Sequence, residues 1–330
     1  MGHDEKKPVD TRRRRCLGLI GGSLLLSACK GQQDTEQQDT EQQDTGQKDT
    51  GQKDRPYAPA FGPAPGNKAK VYLFGVHPLH NPRRLFETYG PLLKYFNHAI
   101  PSASFRLEAS RDYAEYDKKL RERHFDLGLP NPYQTLKALE RGYRVFAKMG
   151  DDHNFRGIIL VRKDSGIQEV SDLRGKAVSY PAPTALAATM LPQLYLQTHG
   201  LDINRDIENR YVGSQESSIL NVFQGKTAAG ATWPPPWQAL SHERPELAEA
   251  LEVKWQTESL PNNSLIARDD VPEAVVSALK TVLLQLQDHP QGQALLARLP
   301  LSRFEVADND TYQPVRDFVL RFSQLVRPLD

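Results

Sequence analysis

The chain has 330 residues, 38% of them hydrophobic and 25% charged, enough to bury a large core in about two domains at the usual ~100 to 200 residues each. Its 42 basic and 41 acidic residues leave a formal net charge of +1, and from Arg55 onward 33 basic residues face 31 acidic ones. That balance, without Lys/Arg clusters interleaved with aromatics, leaves out the basic stripe on which nucleic-acid binding depends.

The amino terminus reads "TRRRRCLGLIGGSLLLSAC": Arg12 to Arg15 are a positive region, and 16–28 a 13-residue apolar run too short for a permanent membrane span. Residues 1–28 are therefore expected to be an export signal. It ends in Leu26-Ser27-Ala28-Cys29, which resembles the lipobox of bacterial lipoproteins, whose cysteine, here Cys29, receives the lipid. With Cys16 removed and Cys29 acylated, the mature chain keeps no thiol for disulfides, metals or nucleophilic catalysis. The expected location is the periplasm, lipid-anchored; Lys30 follows the cysteine where inner-membrane lipoproteins often have Asp, so the choice of membrane stays open.

Residues 29–68 are expected to be a linker. The five-residue repeat "GQQDTEQQDTEQQDTGQKDTGQKD" has no large apolar residue and predicts a solvated tether with a random-coil span of about 25 to 30 Å. "RPYAPAFGPAPGNK" continues it with four prolines. From Ala69 strand and helix patterns alternate: strand "KVYLFGV", helix "RRLFETYGPLLKYFNHAI", strand "SFRLEAS", helix "YAEYDKKLRER", strand "FDLGLP", helix "PYQTLKALERG" and strand "YRVFAKM". "GIILVRK" is a buried strand that opens a second series: "AVSY", a helix from Thr184, "NRYVG", a helix from Glu216, "AAGATW" and "LEVKWQTE". "NNSLIARDD" reads as a returning strand, and "PEAVVSALKTVLLQLQ" and "YQPVRDFVLRFSQLV" as long helices. The alternation predicts an α/β chain in two lobes, 69–157 with 262–330 and 158–261. Two hinge crossings join them, near Phe155 to Arg162 and Ser259 to Ala267, with a ligand cleft between the lobes.

At "GVHPLHNP", "FDLGLPNPY", "LVRKDSGIQEVSDLRGKAVSY", "PTALAATMLPQLYLQTHGLD", "VGSQESSILNVFQGKTAAGA" and "LPNNSLIARDDVP" the chain resembles the phosphate/phosphonate/phosphite substrate-binding proteins of ABC transporters, over roughly Lys70 to Arg321. The resemblance implies a type 2 periplasmic-binding-protein fold, a small oxyanion as ligand, no cofactor or metal, no catalysis, and a monomer that delivers its ligand to an ABC permease. A sensor of the same fold, signalling to a membrane histidine kinase, is the alternative.

"SYPAPTALAATM" is expected to hold one oxyanion mouth. Small residues keep the first-turn amides of a helix open, Thr184 supplies a hydroxyl, and Ser179 and Tyr180 stand nearby. "GSQESS" is a second mouth, with Gln215, Glu216 and Ser217; the family commonly places His where Gln215 stands. Around Trp233 and Asn263 the family often has carboxylates for a ligand amine, and this chain has none there, so the resemblance implies a compact or short apolar ligand rather than an amino-bearing one. Trp233 and Trp237 are read as an apolar wall or as packing. Asn131, Tyr133, Tyr113 and His77 lie at strand ends, where open α/β sheets bind ligands, and Arg156 is a candidate countercharge at the first crossing. "GKT" at Gly225 to Thr227 is no P-loop, because Leu220 stands where the pattern needs glycine. His77 with His80, and Asp151 to His153, lack a third ligand at metal-binding spacing.

Overall fold

A computed structural model of the protein describes residues 69–329; the signal, Cys29 and the repeat lie outside them. The described residues hold eleven strands: β1 (Lys70–Val76), β2 (Ala103–Glu108), β3 (Leu127–Leu129), β4 (Tyr143–Met149), β5 (Arg156–Arg162), β6 (Ala177–Tyr180), β7 (Glu208–Tyr211), β8 (Ala229–Thr232), β9 (Leu251–Ser259), β10 (Ser264–Arg268) and β11 (Phe304–Val306). Ten α-helices join them: α1 (Pro82–Ala99), α2 (Tyr113–Arg121), α3 (Pro132–Leu139), α4 (Leu191–Thr198), α5 (Gln215–Phe223), α6 (Pro234–Glu243), α7 (Pro245–Ala250), α8 (Glu273–Leu284), α9 (Pro290–Arg298) and α10 (Gln313–Leu325).

The strands form two sheets, ordered β11-β4-β10-β3-β1-β2 and β7-β6-β8-β5-β9. In the first, β2, β1 and β3 run parallel and β10 lies antiparallel between β3 and β4. In the second, β7, β6 and β8 run parallel, while β5 pairs antiparallel with both β8 and β9. The chain passes from the first sheet to the second over 150–155 and returns over 260–263. All of Phe155 to Arg162 except its first residue is therefore strand of the second sheet rather than connection.

The helices follow from local sequence. In α1 the residues Leu85, Tyr89, Leu92, Leu93 and Phe96 repeat at three and four and are buried, which puts one face on the sheet. Asn81 caps it by accepting from the Arg84 amide at 3.0 Å, and Pro82 sits at N1, where no N–H is needed. α3 begins with a capping box in which Asn131 and Gln134 each take the other's backbone N–H. The prolines of "WPPPW", Pro234 to Pro236, start α6 directly after Trp233.

The helix expected from Thr184 begins later and wider. Leu186–Met190 is a turn of π-helix, with Met190 N–H and Leu191 N–H reaching back five residues to Ala185 and Leu186, before α4 runs on regularly. Pro192 explains the change. It has no N–H for the Ala188 carbonyl, so the four-residue ladder cannot run through that point and the turn opens.

Gly157 in β5 passes directly beneath this turn. A Cβ there would lie 2.7 Å from the Ala187 carbonyl oxygen and 2.6 Å from the Pro192 ring, closer than carbon atoms tolerate. Gly157→Ala is expected to lower stability by about 1 to 3 kcal/mol through overpacking, read as a shift in urea midpoint with unchanged slope; a neutral result would show that the turn is free to move off the strand.

Candidate functional site

Between the sheets lies a cavity of about 10 Å³, lined by His77, Tyr113, Asn131, Gln215, Trp233 and Asn263 with Phe155 and the run from Ala185 to Ala188. It holds about one water's worth of space. No lysine, arginine or carboxylate lines it. An anion here would be met by neutral dipoles.

His77 follows β1. Its backbone N–H and its Nδ1 both reach the Leu129 carbonyl, at 3.1 and 2.9 Å. A carbonyl only accepts, so Nδ1 carries the ring proton and Nε2 keeps its lone pair. Burial of the ring pulls its pKa down to about 4 against the carbonyl's opposing effect, which fixes a neutral imidazole at pH 7. Tyr113 and Tyr116 of α2 pack edge-on at 6.2 and 6.5 Å.

Gln215 is the first residue of α5. Its carbonyl oxygen accepts from Thr232 Oγ1 at 2.8 Å, leaving the amide NH₂ to donate to the Tyr113 hydroxyl oxygen. Burial raises the pKa of that phenol, so it keeps its proton and can donate. The amides of Leu186, Ala187 and Ala188 belong to the first turn of their helix, which offers them no internal acceptor. Asn263 is fully buried; its Nδ2 touches Met149 Sδ at 3.6 Å and its Oδ1 has no protein partner. Trp233 crosses the Phe155 ring at 5.6 Å and separates this cavity from a second of about 340 Å³ lined by His80, Arg84 and Arg298.

Six of the residues singled out from sequence thus meet at the cavity: His77, Tyr113, Asn131, Gln215, Trp233 and Asn263. The others stand around it. Thr184 Oγ1 donates to Asp117 at 3.2 Å and its carbonyl accepts from Asn131 Nδ2 at 2.9 Å, which ties the mouth of the second sheet to α2 and α3. Burial raises the Asp117 pKa. Tyr133 lines a separate opening with Thr184 and Asp117. Ser179 is spent on the Ser218 carbonyl and Thr227 hydroxyl, at 3.1 and 3.2 Å, and so anchors α5 to β6. Tyr180 is buried against Tyr211 with its hydroxyl unpartnered. Ser217 bonds Ser214, the cap of α5. Glu216 faces Asn81, Arg84 and His80 at 3.4, 3.7 and 3.9 Å, and Arg84 also forks onto Glu243 at 2.8 and 3.1 Å. Arg156 starts β5 opposite Ser259, its Nε buried without a partner. Phe155 and the Leu129 carbonyl were not legible, since neither carries a chemical signature in sequence.

A model of the family described as "ABC transporter, phosphonate, periplasmic substrate-binding protein" matches residues 74–312. The chain belongs to that family. It is 20% identical over 217 residues to the phosphonates-binding periplasmic protein of Escherichia coli K12, covering 63% of this chain and 64%, just under two thirds, of that relative. Among solved structures, a binding protein component of an ABC phosphonate transporter from Pseudomonas aeruginosa is similar with a TM-score of 0.70 at 19% identity, over 78% of this chain and 88% of that one. PhnD1 of Prochlorococcus marinus, in complex with methylphosphonate, is similar with a TM-score of 0.71 at 18% identity, over 78% and 99%. The fold is that of the type 2 periplasmic binding proteins, two α/β lobes on two crossings.

The buried imidazole makes a stability prediction. The His77 pKa falls from 6.5 to about 4 on folding, so the native state is at no disadvantage above pH 6.5 and loses stability as pH drops toward 4, where only the unfolded chain takes the proton. Without ligand, His77→Gln should remove up to about 3 kcal/mol of the loss between pH 6.5 and 4, as read by urea melts; parallel pH profiles for both proteins would mean that His77 is not buried neutral.

Proposed function

We propose that this protein is the substrate-binding component of an ABC importer for a small phosphorus oxyanion, a phosphonate before phosphate or phosphite. The observation that carries this reading is the donor set at the cavity: the protonated Tyr113 hydroxyl beside Gln215, together with Leu186 to Ala188, whose amides stand in the first turn of their helix, all neutral and all buried. Amides at a helix mouth hold an anion without a countercharge. Family membership supports the ligand class. The assigned lobes are 69–157 with 262–330, and 158–261. Thr184, tied to Asp117, and Glu216, facing Arg84, act in closing them over the ligand.

A ligand amine finds no carboxylate at the cavity, and burying an unpaired cation is costly. Methylphosphonate is therefore expected to bind the soluble 55–330 module more tightly than 2-aminoethylphosphonate does, and Tyr113→Phe to weaken methylphosphonate by about 1.5 to 3 kcal/mol, the range for a hydrogen bond to a charged group. Calorimetry decides. A tenfold preference for the amino compound, about 1.4 kcal/mol, would contradict the ligand assignment, and unchanged affinity in Tyr113→Phe would move the site.

The mature protein is proposed to be a monomer held to a membrane in the periplasm through lipid on Cys29. Cys29→Ser should accumulate as unprocessed precursor and incorporate no labelled fatty acid; label on the variant would refute the anchor.

A further inference from the structure

We propose that the cavity, widened from the water-sized space described above when the two lobes open, takes its phosphonate with one proton on it, the P–OH group donating to His77 Nε2. The proposal rests on the phosphonate reading above and deepens it. Its basis is hydrogen-bond polarity. The Leu129 carbonyl holds the Nδ1 proton at 2.9 Å, so the nitrogen left over at the cavity is a lone pair, and it has no partner among the described residues. The other groups assigned to the ligand, the Tyr113 hydroxyl and the three amides, donate, while Asn263 Oδ1 is a second unpartnered acceptor at the cavity. A ligand with only ionised oxygens would satisfy those donors and then set a lone pair against the lone pair of Nε2, an unfavourable contact in a low-dielectric site. One P–OH removes the clash.

The surroundings keep the imidazole from solving this by taking the proton itself. From α2 it meets Tyr113 and Tyr116, the latter donating to the Gly75 carbonyl at 3.3 Å. From its own turn it meets His80, whose pKa burial and then Arg84 lower to about 3. From α5 it meets neutral Gln215, while Glu216 points to Asn81, Arg84 and His80 instead. Asp117 is turned to Thr184 and Gln134. No carboxylate in this set contacts His77, and its pKa of about 4 follows from burial.

The proton balance is simple. Below its second pKa the ligand brings the proton; above it, each binding event takes one proton from solvent, and apparent affinity should fall about tenfold per pH unit. Sulfonates are the control, because methanesulfonate has the same shape and no proton to offer at neutral pH.

The test is calorimetry on the wild-type protein with methylphosphonate from pH 6 to 9, in paired buffers of different ionisation enthalpy, with methanesulfonate alongside. The expected result is an uptake that rises toward one proton per site above the ligand's second pKa, with methanesulfonate at least tenfold weaker at pH 7. His77→Gln, whose amide can donate, should bring the phosphonate-to-sulfonate ratio toward one; if that variant does not fold, the proton count stands alone. Zero uptake with flat affinity, or sulfonate bound within threefold of phosphonate, would overturn the proposal and leave the phosphonate reading intact. Failure of methylphosphonate to bind at every pH would overturn the reading itself, and this inference with it.

Discussion

The bare backbone of Gly157 determines where the helix mouth lies. β5 pairs with β8 on one side and β9 on the other, so its position is set by both neighbours, and only a residue without a Cβ lets the Ala187 carbonyl and the Pro192 ring rest on it. That contact, with Pro192 breaking the regular ladder, places the open turn from Leu186 to Met190 over the strand. Leu186, Ala187 and Ala188 line the cavity as a consequence. On the facing side the Leu129 carbonyl fixes the His77 ring by the same kind of backbone constraint. The cleft is built from main-chain geometry, and the side chains refine it.

Gln215 illustrates that refinement. The helix it starts is pinned by Ser179, which reaches the Ser218 carbonyl across a gap that Gly230 keeps narrow; a Cβ there would lie 2.8 Å from Ser179 Oγ. Thr232 then occupies the Gln215 carbonyl oxygen and leaves its NH₂ for Tyr113. Each link is neutral, so an anion bound at the end of the chain is stabilised by oriented dipoles and brings no buried cation needing a partner when the cleft is empty. The charged residues flank this core: Arg84 with Glu243 and Glu216 on one side, Asp117 beneath Thr184 on the other.

Much of this was legible in sequence, and the gaps have physical causes. His77, Asn131 and Tyr113 stand just past strands β1, β3 and β2, and position alone marked them. Trp233 and Asn263 were marked by residues absent from them, and both reach the cavity. Thr184 and Ser179 were chosen for their hydroxyls, yet those hydroxyls are consumed by Asp117 and Ser218, because a polar group that leaves water on folding finds a protein partner. No helix is expected from the sequence between "AAGATW" and "LEVKWQTE", yet α6 starts there on three prolines, each in the first turn where proline costs nothing. Phe155 and the Leu129 carbonyl act through packing and backbone, which no local pattern reveals.

The central claim is that an oxyanion sits between the first-turn amides and the Tyr113 hydroxyl, and backbone nuclear magnetic resonance tests it most directly. Adding methylphosphonate to the labelled 55–330 module should move the amide protons of Leu186, Ala187 and Ala188 downfield more than any others, with a matching shift at Gln215. Largest shifts at the residues around Arg298, or around Tyr133 and Asp117, with these three amides unmoved, would contradict it.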